Sequence, residues 1–148
     1  MRLLLQKVKH ASVKVDEQIV GQIEAGYLVF LGISKDDTEE TAVTAIQKLL
    51  ELRILPDDTG EKYFDKSIRD HGAPLLIVSQ FTLYGDLNRG RRPSFDLAAS
   101  PDSARALYEY FLKTLKNSYT GQIETGIFQV HMDVSLENDG PVTFLLEL

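Results

Sequence analysis

The chain has 148 residues, 16 Lys+Arg against 22 Asp+Glu for a formal charge of −6, no Cys, no Trp and three His. The length fits one ordinary domain able to bury about two-thirds of its unfolded surface without staples. The missing cysteines exclude disulfides, thiolate zinc sites and cysteine nucleophiles, and the scattered His10, His71 and His131 leave little for a metal site.

A cysteine-free chain suits a reducing cytoplasm. The acidic balance argues mildly against nucleic acid as a partner. Met1–Val8 holds only Leu3, Leu4 and Leu5 as an apolar run, which is not a signal peptide, and no stretch nears the roughly 18 apolar residues of a membrane span. Without a repeat, a low-complexity tract or a linker, residues 1–148 read as one domain.

In chain order, Val13 and Val15 alternate with polar neighbours, Asp16, Glu17 and Gln18 turn, and Ile19, Val20 and Ile23 resume, which predicts a hairpin. Tyr27–Ile33 is a continuous apolar run, as in a strand buried on both faces. Asp37 and Glu40 stand at capping-box spacing before a helix carrying Val43, Ile46, Leu49, Leu50 and Ile54, which Pro56 closes. Pro74–Val78 is a short strand leading into Ser79. Ser100 and Pro101 then open a helix whose apolar stripe is Ala104, Leu107, Tyr108, Phe111 and Leu115. Phe128, Val130, Met132, Val134 and Leu136 alternate strictly with polar residues, so a strand is expected from 128 to 137. Asn138–Pro141 reads as the turn before a last strand, Val142–Leu146. The order β-β-β-α-β-α-β-β predicts an α/β domain with a mixed or mostly antiparallel sheet.

No nucleophile elbow, Walker A loop, HExxH or Gly-x-Gly-x-x-Gly occurs. His131, Asp133 and Ser135 share one face of the expected strand. Residues two apart there are about 7 Å apart at their bases, so a solvated face is favoured over a triad.

Three clusters carry chemistry. Ser79-Gln80-Phe81-Thr82 follows an apolar strand and offers hydroxyls, an amide and backbone N–H groups, the donors an oxyanion hole needs, with no titratable base. The competing reading is a strand end capped by its own side chains. Arg89, Arg91 and Arg92 form a loop able to grip phosphates, or a solvated charge run. Asn138-Asp139-Gly140-Pro141 is either a plain hairpin turn or, with a cis Gly-Pro bond, a rigid pair of carbonyl acceptors suited to an ammonium group.

Taken together, these segments resemble the D-aminoacyl-tRNA deacylase (D-Tyr-tRNA deacylase) family over nearly the whole chain. Ser79-Gln80-Phe81-Thr82-Leu83 is similar to its SQFTL motif, Gly90-Arg91-Arg92-Pro93-Ser94-Phe95 to its basic loop and Asn138-Asp139-Gly140-Pro141-Val142-Thr143 to its NxGPVT motif. The resemblance implies a barrel-like core with two main helices packed outside and a cytoplasmic homodimer without a cofactor or metal. It implies hydrolysis of the ester between a D-amino acid and the terminal adenosine of tRNA. Ser79, Gln80, Phe81 and Thr82 would line the catalytic pocket, with Phe128 and Met132 binding substrate. Gly140 and Pro141 would enter from the other subunit, hold the α-ammonium and exclude an L side chain. Arg89, Arg91 and Arg92 would meet tRNA.

Two segments depart from the family pattern. Phe128-Gln129-Val130-His131-Met132 stands where F-G-A-x-M is usual, and Gly60-Glu61-Lys62-Tyr63-Phe64 where Met-Asn follows Gly-Lys. Both are expected beside the pocket, where they bear on substrate fit and tolerance of glycine. Two alternatives stand beside the main reading: a synthetase-type editing domain, and a nucleic-acid-binding dimer without catalysis.

Overall fold

The computed structural model describes residues 1–88 and 90–148. The elements are β1 (Arg2–Val15), β2 (Gln18–Ile23), β3 (Gly26–Gly32), α1 (Glu39–Glu51), β4 (Arg53–Leu55), β5 (Lys66–Ser67), α2 (Ile68–His71), β6 (Leu75–Ser79), a 3-10 turn (Phe81–Tyr84), α3 (Pro101–Ser118), β7 (Ile123–Thr125) and β8 (Asp133–Glu147).

The long β1 organises the main sheet. Its residues 2–8 pair antiparallel with β3 and residues 11–15 with β2, while β8 runs antiparallel along its other edge. β6 then pairs parallel to β3, and β7 parallel to β6. The sheet is therefore mixed, as the element order predicts. It curls until β7 meets β2: Gln122 Nε2 donates to the Gln22 carbonyl at 3.4 Å, and an added Cβ at Gly21 would lie 2.5 Å from the Thr125 carbonyl oxygen. The result is a nearly closed, barrel-like sheet.

Both faces of the middle strands are buried. Leu28, Leu76 and Val78 join Val8, Ala11, Val13 and Ile23 inside the barrel. Their neighbours Tyr27, Val29, Leu75 and Ile77 face the helices. A strand covered on both sides has no polar face to show, which is why Tyr27–Ile33 reads as an unbroken apolar run.

The β1–β2 hairpin closes on Asp16 and Glu17, both at positive φ (48° and 65°), the pattern of a two-residue turn whose twist matches its strands. Helix α1 departs from its expected start and end. Thr38 is the cap, in a reciprocal box with Thr41, while Asp37 accepts from the Met1 ammonium at 2.5 Å and from the Ser34 N–H at 2.7 Å. The helix stops at Glu51, and Ile54 belongs to β4, because Arg53–Leu55 finds a partner in β5. Helix α3 follows the reading from sequence: Ser100 accepts from the Ser103 N–H, Pro101 takes the first position, and Leu107, Tyr108, Phe111 and Leu115 are buried.

Two strand expectations need correction. The 128–136 alternation is strand only from Asp133 onward, since Gln129 has a φ of 63° and Phe128–Val130 turn. Residues 138–141 do not close a hairpin. Asn138 lies opposite Val8 and Thr143 opposite Gln6, so both flanks pair with β1 in the same direction. Asp139–Val142 is a bulge of a single strand opposite Lys7, with Gly140 and Pro141 exposed at its tip and Val142 buried in the core.

Candidate active site

The site begins where β6 runs out. Ser79 is still paired with Leu31, and the Gln80 N–H donates to the Leu31 carbonyl at 2.8 Å. The chain then tightens into the 3-10 turn, with Leu83 N–H donating to Gln80 O at 3.3 Å and Gly85 N–H to Thr82 O at 2.9 Å. β3 passes directly behind this turn. An added Cβ at Gly32 would lie 2.9 Å from Leu83 Cβ and 3.2 Å from the Gln80 carbonyl oxygen, so only glycine allows this approach. Arg2 fastens the far end: Nη1 donates to the Leu83 carbonyl at 2.6 Å, Nε meets Glu147 at 2.7 Å, and the guanidinium carbon sits 4.6 Å from the Tyr84 ring centroid.

In front of the turn is a cleft of about 650 Å³. Leu31 and Val78 line it from the sheet, Ile33 lines it just beyond β3, and Ser79, Gln80 and Phe81 form one wall. The facing wall is the turn 128–132, including Phe128 and Met132. That wall is anchored from below. The Phe128 ring lies 5.4 Å from the Tyr108 ring, whose hydroxyl donates to the Ile77 carbonyl at 3.2 Å. Burial pushes the Tyr108 phenol up to about 12, so it stays a neutral donor. Across the mouth, Phe81 is 58% exposed and its ring centroid is 5.0 Å from that of Phe95. An exposed aromatic face beside an apolar cleft suits a stacking ligand.

The polar groups are mostly donors. Gln80 Nε2 donates to Thr82 Oγ1 at 2.5 Å. An amide that donates to a hydroxyl cannot also take its proton, so Gln80 is no base for Thr82. Among the described residues, the N–H groups of Phe81 and Thr82 have no acceptor. His131 is the titratable side chain lining the cleft; its Nε2 is 3.6 Å from Asp133 Oδ1, with both side chains largely in solvent. Among the described residues, no group of three His, Cys, Asp or Glu side chains converges to hold a metal.

The structure thus brings Ser79, Gln80, Phe81, Phe128 and Met132 to one cleft, with Thr82 joined to it through the Gln80 amide. Gly140 and Pro141 lie elsewhere, exposed on the β8 bulge, and the bond between them is cis. Asn138 staples that bulge: Oδ1 accepts from Gln6 at 3.2 Å and Thr143 at 3.0 Å, and Nδ2 donates to the carbonyls of Lys7 at 3.0 Å and Val142 at 3.4 Å. Arg91 and Arg92 are exposed in the loop closed by the Asp86–Ser94 bridge; Arg89 lies outside the described residues.

Of the two departures from the family pattern, Gln129 and Val130 do line the cleft. Tyr63 and Phe64 do not. They stack edge-on at 5.9 Å, and Phe64 meets Phe144 of β8 at 5.8 Å. Sequence reasoning missed Arg105, whose Nη2 donates to Gln129 Oε1 at 2.9 Å. A single arginine on the exposed side of a helix gives no signal before the fold places it.

A family model described as D-Tyr-tRNA(Tyr) deacylase matches residues 4–147. The chain belongs to this family. Its relatives include proteins named D-aminoacyl-tRNA deacylase from Thermosipho melanesiensis, 49% identical over 99% of this chain and 97% of theirs, and from Kosmotoga olearia, 50% identical with the same coverage. Membership places the chain among the deacylases, which are hydrolases. Among solved structures, one named c-Myc DNA unwinding element binding protein is 38% identical with a TM-score of 0.95, covering 100% of this chain and 99% of its own. A second, described as a probable eukaryotic D-amino acid tRNA deacylase, has a TM-score of 0.86 at 20% identity, covering 99% and 98%, and shares the fold.

Proposed function

We propose that this protein hydrolyses the ester joining a D-amino acid to the 3′-terminal adenosine of tRNA. The observation that carries this reading is the cleft itself in a chain of this family: apolar walls, an exposed aromatic at the mouth, and a row of hydroxyl, amide and backbone donors with no nucleophile–base pair.

An aminoacyl ester is activated, so modest catalysis suffices. Water attacks the ester carbonyl, assisted by the ribose 2′-hydroxyl of the substrate. The N–H groups of Phe81 and Thr82 take the negative charge that develops on the carbonyl oxygen. Collapse releases the D-amino acid and a free ribose hydroxyl on tRNA. Thr82 is not the nucleophile in this scheme, because its hydroxyl is bonded to an amide with no basic character.

Selectivity is assigned to Gly140 and Pro141. They do not reach the cleft of their own chain, and an added Cβ at Gly140 would meet nothing within 4 Å. An exposed tip with that much room is suited to entering the cleft of a second copy. There its carbonyl oxygens would hold the α-ammonium and occupy the space an L side chain needs, a rejection by clash. Glycine, having no side chain, would pass. The protein then acts as a homodimer that proofreads aminoacyl-tRNA in the cytoplasm. No described helix is long and apolar enough to cross a membrane. Arg91 and Arg92, with Arg89 beside them in sequence, would meet the phosphates of the tRNA end.

The name of the 38%-identical structure favours a second reading, nucleic-acid binding without catalysis. Incubation with D-Tyr-tRNA separates the two. Release of D-tyrosine at catalytic protein concentration supports the deacylase; tight binding of the charged tRNA with no release supports the other reading.

A further inference from the structure

Among the described residues, the cleft lining contains neither lysine nor arginine, although the proposed substrate is a polyanion. Among those same residues, Arg105 touches its wall from outside. Arg105 follows the lining residue Ala104 on α3; its guanidinium carbon lies 5.0 Å from the Phe128 ring centroid, and Nη2 donates to Gln129 Oε1 at 2.9 Å. Phe128 and Gln129 both line the cleft.

Two features bear on the chemistry of this arginine. Among the described residues its hydrogen-bond partner is a neutral amide and not a carboxylate. Its charge is held in place without being neutralised. Its partner is also unusual. Gln129 is a non-glycine residue at a φ of 63°, a conformation few side chains adopt, and in it the amide reaches back to α3. A guanidinium stacked on a ring and tied by one N–H keeps its remaining N–H groups for a planar, bidentate partner.

We propose that Arg105 binds the phosphodiester that leads into the terminal adenosine when that nucleoside occupies the cleft, with Gln129 as its positioning residue. The proposal rests on the reading of the substrate as aminoacyl-tRNA. Binding to one phosphate contributes to affinity whatever the amino acid, and makes it depend on salt.

The test compares D-Tyr-tRNA with D-tyrosyl-adenosine, which has the same ester and no phosphate, over a KCl series for the wild type, Arg105→Ala, Arg105→Lys and Gln129→Ala. The ratio of kcat/KM on D-Tyr-tRNA to that on D-tyrosyl-adenosine is expected to fall at least fivefold in Arg105→Ala, through KM. The slope of log KM for tRNA against log salt should drop by about 0.7–0.9, the loss of one phosphate contact. Arg105→Lys should restore the salt slope, and Gln129→Ala should keep the slope while raising KM. A ratio and slope that do not move in Arg105→Ala, or equal losses on both substrates, overturn the proposal. If the wild type hydrolyses neither substrate, the deacylase reading fails and this proposal fails with it.

Discussion

The side-chain amide of Asn138 donates to the main-chain carbonyl of Lys7 at 3.0 Å, across the gap where β8 leaves its ladder with β1. One side chain thereby replaces ladder bonds that the bulge gives up, and its oxygen ties Gln6 and Thr143 to the same point. Asn138→Ala removes all of these. Because the residue is exposed, the bonds together contribute about 1 kcal/mol, and the melting temperature should fall by roughly 2–4 °C. If Gly140 and Pro141 set chirality, this variant also loses preference for D- over L-aminoacyl-tRNA more than it loses turnover of the D form. Thermal melts and paired deacylation rates measure both.

Thr82→Ala separates the two catalytic routes. Its hydroxyl accepts from Gln80 Nε2 and has no base beside it. Turnover of D-Tyr-tRNA should therefore fall by less than about tenfold, since the backbone donors remain. A fall of about 10⁴ with binding intact would make Thr82 the nucleophile.

Gly32→Ala probes the support behind the 3-10 turn. A methyl there lies 2.9 Å from Leu83 Cβ, and both atoms belong to packed elements that cannot simply swing away. The turn that carries Phe81 and Thr82 must shift. The expected result is a folded protein with kcat reduced at least tenfold, because a displacement of about 1 Å at such a site is costly. Circular dichroism and single-turnover rates check the two halves of the statement.

Buried phenols predict the alkaline limit. Burial pushes Tyr108 and Tyr119 up to about 12 and raises Tyr27 further still. The fold favours the neutral form, so the stabilisation is complete below the ordinary value of 10 and is lost as pH rises from 10 through about 12. Phenolate absorbance in that window should rise together with loss of circular dichroism. Tyr108→Phe should make the melting temperature fall less steeply over the same range.

Much of the site was legible because its signals are local. Ser79–Thr82 follow an apolar strand and precede a break, and Ser100-Pro101 announce α3. Other elements were decided by distant partners. Residues 138–141 carry turn chemistry that serves a bulge as well as a hairpin, and only pairing of both flanks with β1, more than 120 residues away in sequence, distinguishes them. Phe128 and Met132 are apolar because they face the cleft, so their spacing imitates a strand that the φ of Gln129 interrupts. Arg53–Leu55 continued a helical pattern and was claimed by β5 instead.

Initial rates of deacylation of D-Tyr-tRNA, L-Tyr-tRNA and Gly-tRNA by the purified protein test the central claim most directly. The account predicts release of D-tyrosine and glycine with L-tyrosine retained, by a factor of at least 100 between the two tyrosyl forms. That factor corresponds to about 2.7 kcal/mol of discrimination. Equal release of D- and L-tyrosine would contradict the role of Gly140 and Pro141, and no release of D-tyrosine would contradict the deacylase itself.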